Sequence, residues 1–215
     1  MTQGKSISMI PYRLRCVKQQ ANWYRFNHWA YIDVFVYFGH YTVTIPPPGF
    51  TNIAHQHGVK MLGTLIFEWD AGAREAKLML NGKQVLHPDV LKKGWKEPKD
   101  CTDGSRFYAR KLSELARHYG FDGYLMNFEC KIKDTDVLLE WLEVLREELR
   151  KLVPHGLVIW YDSVLHDGQL RWQSALNEKN YRFFNVTDGF FTDYHWKLEN
   201  LDVTQKAYND YIASG

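Results

Sequence analysis

Apolar runs rich in β-branched and aromatic residues recur along the chain at 32–38, 59–66, 121–128, 157–161 and 189–194. Each is short and bounded by polar or glycine-containing stretches, the pattern of buried strands. Between or after them lie stretches of helical periodicity at 49–57, 105–119, 135–152, 168–179 and 198–212. The helix over 135–152 runs through Leu138, Leu139, Trp141, Leu142, Leu145 and Leu149, with Asp134 or Thr135 as its cap, and Gly120 ends the helix before it. This alternation predicts an α/β fold, a parallel sheet with covering helices. Five βα units are visible and residues 6–17 offer one more weak strand. A closed barrel needs eight units and about 250 residues, so the count is short and the final units are expected to be missing. Residues 70–104 interrupt the rhythm as an insertion-like loop, punctuated by Asn81-Gly82, Pro88, Gly94 and Pro98 and long for a βα connection.

The run at 121–128 carries more than a packing signal. Side chains in a strand alternate, so Phe121, Gly123, Leu125, Asn127 and Glu129 share one face while Tyr124, Met126 and Phe128 share the other. The second face suits helices. The first is apolar or small until its carboxyl end, where it presents an amide and a carboxylate. In parallel α/β folds that end of a strand is where chemistry sits.

Composition narrows the function classes. The 27 basic and 25 acidic residues give a formal charge of +2 with no long single-sign block, which argues against a nucleic-acid partner. Aromatic content is 15%, including eight Trp and thirteen Tyr, enough to line a ligand groove as well as fill a core. Cys16, Cys101 and Cys130 are odd in number and widely spaced, offering neither a disulfide framework nor paired zinc-ligand spacing. The first thirty residues lack a basic-then-apolar signal and no run reaches the ~18–20 apolar residues of a membrane span. The expectation is a cytoplasmic protein in a reducing compartment, and the sequon at Asn185 is coincidental. His55 and His57 lie two apart on a predicted helix and do not share a face, so no metal pair is expected.

An Asn-x-Glu pair at a strand tip has a specific use on a sugar bearing a 2-acetamido group. The acetamide oxygen of such a substrate can attack the anomeric carbon itself. The protein then needs only a partner that orients the acetamide and an acid that protonates the leaving oxygen. Asn127 suits the first role and Glu129 the second, separated along the strand by roughly 6–7 Å. Family 18 chitinases end their catalytic strand Asp-x-Asp-x-Glu, and here Leu125 and Asn127 occupy the inner Asp positions, which argues against that chemistry.

From about residue 26 to 201 the chain resembles the cytosolic endo-β-N-acetylglucosaminidases of glycoside hydrolase family 85. The resemblance is carried in order by Phe26-Asn27-His28-Trp29, the strings over 33–40 and 42–47, Leu62-Gly63-Thr64 with Glu68-Trp69, Phe121-Asp122-Gly123-Tyr124, Asn127-Phe128-Glu129, Trp160-Tyr161-Asp162-Ser163, the string over 168–173, and Asp188-Gly189-Phe190-Phe191. It implies a (β/α)8 TIM-barrel type fold, here incomplete with five to six units over 26–215. It also implies cleavage of the bond between the two N-acetylglucosamine units of the N-glycan core, retaining and through an oxazoline-type intermediate. The implied substrates are N-linked glycans, free oligosaccharides or glycopeptides, and no cofactor or metal is implied.

By the same resemblance Asn127 positions the acetamide, Glu129 is the general acid/base and Tyr161 hydrogen-bonds in the reacting-sugar subsite. Trp172 and Trp196 look like aromatic walls for the glycan, although Trp172 also fits a packing position on an amphipathic helix. His40 and Glu68, near the ends of their strands, are further substrate-binding candidates. The chain departs from the family pattern in residues 1–25, which lack the usual Cys-His-Asp-Met-like string, and at Asp193 and His195, where asparagines are common. The alternative reading is a catalytically inactive, truncated remnant that binds a glycan or a partner.

Overall fold

The computed structural model describes residues 26–80 and 105–213. A short 3-10 turn at Trp29–Tyr31 leads into β1 (Val34–Val36) and β2 (Val43–Thr44), followed by α1 (Pro48–Gln56), β3 (Lys60–Glu68) and α2 (Trp69–Leu80). After residue 104 come α3 (Ser105–Tyr119), β4 (Gly123–Glu129), α4 (Thr135–Leu152), β5 (Leu157–Tyr161), α5 (Tyr181–Asn185), β6 (Gly189–Phe191) and α6 (Glu199–Tyr211). Strands β1, β3, β4, β5 and β6 lie side by side in that order, all parallel, so each new strand adds beside its predecessor. This is the arrangement of consecutive βα units in a (β/α)8-type barrel, with five of its parallel strands among the described residues. No helix among these residues is long and apolar enough to cross a membrane.

The expected alternation of faces is present throughout the sheet. Met61, Leu65 and Phe67 of β3, Tyr124, Met126 and Phe128 of β4, and Val158 and Trp160 of β5 pack in one core with Leu138, Trp141, Leu142, Leu145 and Leu149 of α4. Trp160 is fully buried between Phe128 and Phe183, with ring centroids 5.6 Å and 4.3 Å away, so α5 is held down by one aromatic stack. Asp134 caps α4 by accepting the Val137 N–H at 3.2 Å. Gly120 closes α3 in the left-handed region at φ 74°, and the N–H groups of Gly120 and Phe121 both reach the Ala116 carbonyl.

Four segments differ from expectation. Residues 70–80, read as the start of a polar loop, form most of α2, with Ala76, Met79 and Leu80 buried on one face. The remainder of that loop, the weak strand at 6–17, the non-matching segment 1–25, Cys16 and Cys101 lie outside the described residues. Residues 168–179 are not helical. Gly168 sits at φ 82° and Ser174 at φ 58°, and the segment folds back through an antiparallel bridge between Val164 and Leu170. Its Arg171 and Gln173 N–H groups bond to Ser163 and Asp162, just after β5, and not to carbonyls one helical turn back. Finally, the run at 189–194 pairs only over Gly189–Phe191, and β2 turns the chain back antiparallel to β3. Gly63 permits that return, since a Cβ there would stand 2.5 Å from the Thr44 carbonyl oxygen.

Two aspartates tie the amino ends of the strands together. Asp122, just before β4, accepts the Met61 N–H of β3 at 2.7 Å, and Asp188, just before β6, accepts the Val158 N–H of β5 at 2.9 Å. Each is followed by a glycine that begins its strand. Asp122 is buried and also bonds His55 Nε2 of α1 at 2.7 Å and His155 Nε2 at 2.9 Å, so His55 serves the fold at the end of the sheet opposite Glu129. His57 stacks on Trp29, with centroids 5.9 Å apart. Replacing Asp122 by Ala leaves the buried Met61 N–H without its acceptor, so Asp122→Ala is expected to lower stability by about 1–3 kcal/mol. A urea midpoint unchanged from wild type would contradict this role.

Candidate active site

Glu129 ends β4 and Glu68 ends β3, and the parallel register sets the two residues directly opposite each other. One row below, Ile66 of β3 is opposite Asn127, and Tyr161 of β5 is opposite Phe191 of β6. Met126 pairs with Trp160, so the next residues up, Asn127 and Tyr161, are neighbours across the β4–β5 boundary. The concave face of the sheet is mostly apolar in its lower rows, where Leu62, Ile66 and Leu125 are buried beside Thr64, whose hydroxyl donates to the Tyr37 carbonyl, and it becomes more polar at the carboxyl end.

The chain between β1 and β2 closes one side of this polar rim. The Tyr37 N–H donates to the Leu62 carbonyl at 2.8 Å and the Ile66 N–H donates to the Thr42 carbonyl at 3.0 Å, so the intervening turn is pinned against β3. That turn carries His40, whose Nδ1 lies 3.0 Å from Glu68 Oε2. His40 is thus four residues past β1 and not on it, yet it does share the mouth with Glu68. Immediately after Glu68 the backbone of Trp69 takes φ 58°, a left-handed conformation that turns β3 sharply into α2 and leaves the indole exposed.

Asn127 is almost fully buried, and its Nδ2 donates to Glu129 Oε1 at 3.2 Å. Its Oδ1 has no donor among the described residues. Burial raises the Glu129 carboxyl above the ordinary carboxylate range, and the negative charge of Glu68 raises it further. The Asn127 hydrogen bond and the His40 charge act against these without cancelling them. The arrangement favours an acid that keeps its proton at higher pH than an exposed glutamate.

Tyr161 is buried at the tip of β5, and its hydroxyl is pushed up to about 12 by burial first and then by the charges of Glu129 and Tyr194. Trp172, from the 168–179 segment, lies close enough to this hydroxyl to act against that rise, and its indole is partly exposed. The packing-helix alternative for Trp172 does not hold, because its segment is a loop over the β5 tip. Trp196 stands half-exposed beyond β6, and forms no hydrogen bond or ring stack with the other six among the described residues. Six of the seven sequence-derived residues therefore converge in one place, and Trp196 is not joined to them.

Asp162 was missed by the sequence reading. It follows Tyr161 and is 1% exposed; its Oδ2 accepts the Gln173 N–H at 3.0 Å and its Oδ1 accepts from Asn180 Nδ2 at 3.1 Å. Alternation points position 162 away from the concave face, so a strand-face argument passes over it. The only signal was its place in the Trp160-Tyr161-Asp162-Ser163 string. Among the described residues no cluster of three or more His, Cys, Asp or Glu side chains has the geometry to hold a metal.

The model of glycosyl hydrolase family 85 matches residues 11–214. The chain belongs to that family. It is 43% identical over 187 residues to the cytosolic endo-beta-N-acetylglucosaminidase of Gallus gallus, covering 86% of this chain and 23% of that protein. With the protein of the same description from Homo sapiens it shares 43% identity over 181 residues, 83% of this chain and 22% of the other. The chain thus spans less than a quarter of the length of these relatives. Among solved structures, the family-85-like arc superposes on the Endo-D glycoside hydrolase domain from Streptococcus pneumoniae with a TM-score of 0.66 at 26% identity, covering 86% of this chain and 28% of that one. A Bacteroides thetaiotaomicron chitinase matches with a TM-score of 0.52 at 14% identity, over 86% of this chain and 56% of its own, a likeness of fold alone.

The two glutamates give a direct electrostatic test. In a carbon-13 NMR titration the Glu129 carboxyl is expected to have its midpoint above the ordinary glutamate value, and Glu68→Gln should move it down by removing a like charge. A Glu129 midpoint at or below that of an exposed glutamate, or one indifferent to Glu68→Gln, would refute the arrangement.

Proposed function

We propose that this chain carries the catalytic strand of an endoglycosidase acting on N-glycans, cleaving between the two core N-acetylglucosamine units by substrate-assisted, retaining chemistry. The observation that carries the reading is the pairing of Asn127 and Glu129 at one strand tip, with Tyr161 beside them on the neighbouring strand. The relatives named as cytosolic endo-beta-N-acetylglucosaminidases support the same substrate class and a cytosolic place of action.

In this mechanism the acetamide oxygen of the substrate attacks the anomeric carbon as the glycosidic bond breaks. Glu129 gives its proton to the departing oxygen, and a cyclic oxazolinium that keeps the acetamide N–H forms. Water then adds at the anomeric carbon from the face the leaving sugar vacated and gives its proton to the Glu129 carboxylate, while the bond from that carbon to the acetamide oxygen breaks, restoring the acetamide with configuration retained. The elevated proton affinity of Glu129 suits the first step. Asn127 meets the acetamide: its Oδ1, without a protein donor, matches the one N–H that the acetamide offers. The Tyr161 hydroxyl stays protonated across the physiological range, so it can donate its proton to the sugar in a hydrogen bond. The partly exposed rings of Trp172 and Trp196 are the surfaces on which sugar rings would stack, and His40 and Glu68 supply polar contacts at the rim.

Incubating the 215-residue chain with a high-mannose glycopeptide and weighing the products tests the reading directly. A peptide that keeps one N-acetylglucosamine is the expected product, and intact substrate at high protein concentration would overturn the activity. Glu129→Gln is expected to abolish cleavage and Asn127→Ala to lose the acetamide-assisted step while glycan binding persists. Wild-type rates in either variant would refute the roles.

A further inference from the structure

The segment 171–180 leaves β5, carries Trp172 to the Tyr161 hydroxyl and returns to the core without forming a helix. A buried carboxylate anchors its middle, beside the bonds of the Arg171 N–H to the Ser163 carbonyl at 2.8 Å and of the Leu176 N–H to Thr204 Oγ1 at 3.1 Å. Asp162 accepts the backbone N–H of Gln173 at 3.0 Å and the side-chain amide of Asn180 at 3.1 Å, while its own N–H donates to the Phe191 carbonyl of β6 at 2.9 Å. Asn180, itself fully buried, extends the clamp by donating to the Ala175 carbonyl at 2.9 Å and accepting the Asn177 N–H at 2.8 Å.

A second observation points to the same place. Ser174 is held at φ 58°, in the left-handed region that a side chain disfavours, one residue from the anchored Gln173 and two from Trp172. Such a conformation persists only where its surroundings over-determine it, and such sites cluster at ligand clamps. Here the over-determining group is a carboxylate each of whose oxygens accepts one donor, from Gln173 and from Asn180. Asparagine cannot replace it without turning an N–H2 toward those donors. We propose that Asp162 is a positioning residue: its carboxylate clamps the 171–180 segment so that Trp172 stands against the Tyr161 hydroxyl, and the affinity of the site for the glycan depends on that clamp. The dependence on glycan rests on the function proposed above; the clamp itself does not. The groups that face this carboxylate are Gln173, Ser174, Asn180 and, at longer range, the charge of Asp193, and burial pushes its pKa up to about 6. Protonation at lower pH would remove one acceptor oxygen and loosen the same contact.

The test separates the two statements. With the full chain labelled with 5-fluorotryptophan, the Trp172 fluorine resonance is assigned by its loss in Trp172→Phe. Asp162→Asn is expected to shift or broaden it, and adding Ser174→Gly should return it toward the wild-type position, since glycine takes the left-handed conformation without being forced. A side chain that merely fills space would give no such rescue. In a Glu129→Gln background, calorimetry with a chitobiose-core glycan should show affinity falling about tenfold or more with Asp162→Asn and recovering roughly threefold with Ser174→Gly. If Asp162→Asn loses its cooperative melt, Asn180→Ala, which keeps the carboxylate and removes one donor, is expected to shift the same resonance. An unmoved Trp172 signal in the folded variant overturns the clamp, and a moved signal with glycan affinity within roughly twofold of the parent overturns its role in binding. Failure of the parent to bind glycan refutes the proposed function, while the fluorine signal still decides the clamp.

Discussion

The structure depends on one constraint: β4 is a central strand of a parallel sheet, covered by helices on one face and lining the concavity on the other. Every second residue must therefore be apolar and large on the helix side, as Tyr124, Met126 and Phe128 are. The other set is free to change character along its length. The same alternation that buries half of the strand delivers Asn127 and Glu129 to one cavity, and neither can be moved by one residue without turning the core side out.

Register then does the electrostatic work. Parallel pairing of β3 with β4 sets Glu68 opposite Glu129, two like charges at adjacent strand tips. Left alone, that pair would be unfavourable at neutral pH, and the site answers it in two ways. Burial raises the proton affinity of Glu129, and Glu68 is met by His40 on the turn pinned to β3. On the other side Tyr161 is buried against the same charge, which keeps its hydroxyl protonated and so able to donate. Burial, and not any single hydrogen bond, is the largest influence on Glu129, Tyr161 and Asp162 alike.

Much of this was legible in the amino-acid pattern, for reasons that can be located. The 135–152 helix has a cap, a periodic apolar stripe and a long uninterrupted run, so its bounds agree with α4, and the 157–161 run coincides with β5. The 168–179 segment has apolar residues at helical spacing, yet its backbone donors find a better acceptor in Asp162, a residue outside the segment. Local periodicity cannot register a competing acceptor supplied by another element. Residues 70–80 erred in the opposite direction: polar composition suggested a loop, but Ala76, Met79 and Leu80 provide just enough of an apolar face for α2 to lie against the sheet. The hairpin-like return of β2 was invisible because it needs Gly63, nearly twenty residues later, to make room.

The sequence by itself determined the order of strands and helices, the polar tip of β4 and the family whose motifs surround it, because these follow from spacing along the chain. Tertiary structure decided which groups meet across the chain: His40 with Glu68, Tyr161 with Trp172, and the loop donors with Asp162. Those meetings depend on register between strands and on backbone groups that must find acceptors when buried, and neither quantity is written in the spacing of residues along one strand. The raised proton affinity of Glu129 belongs to this second category, since it arises from burial and from Glu68 on the neighbouring strand.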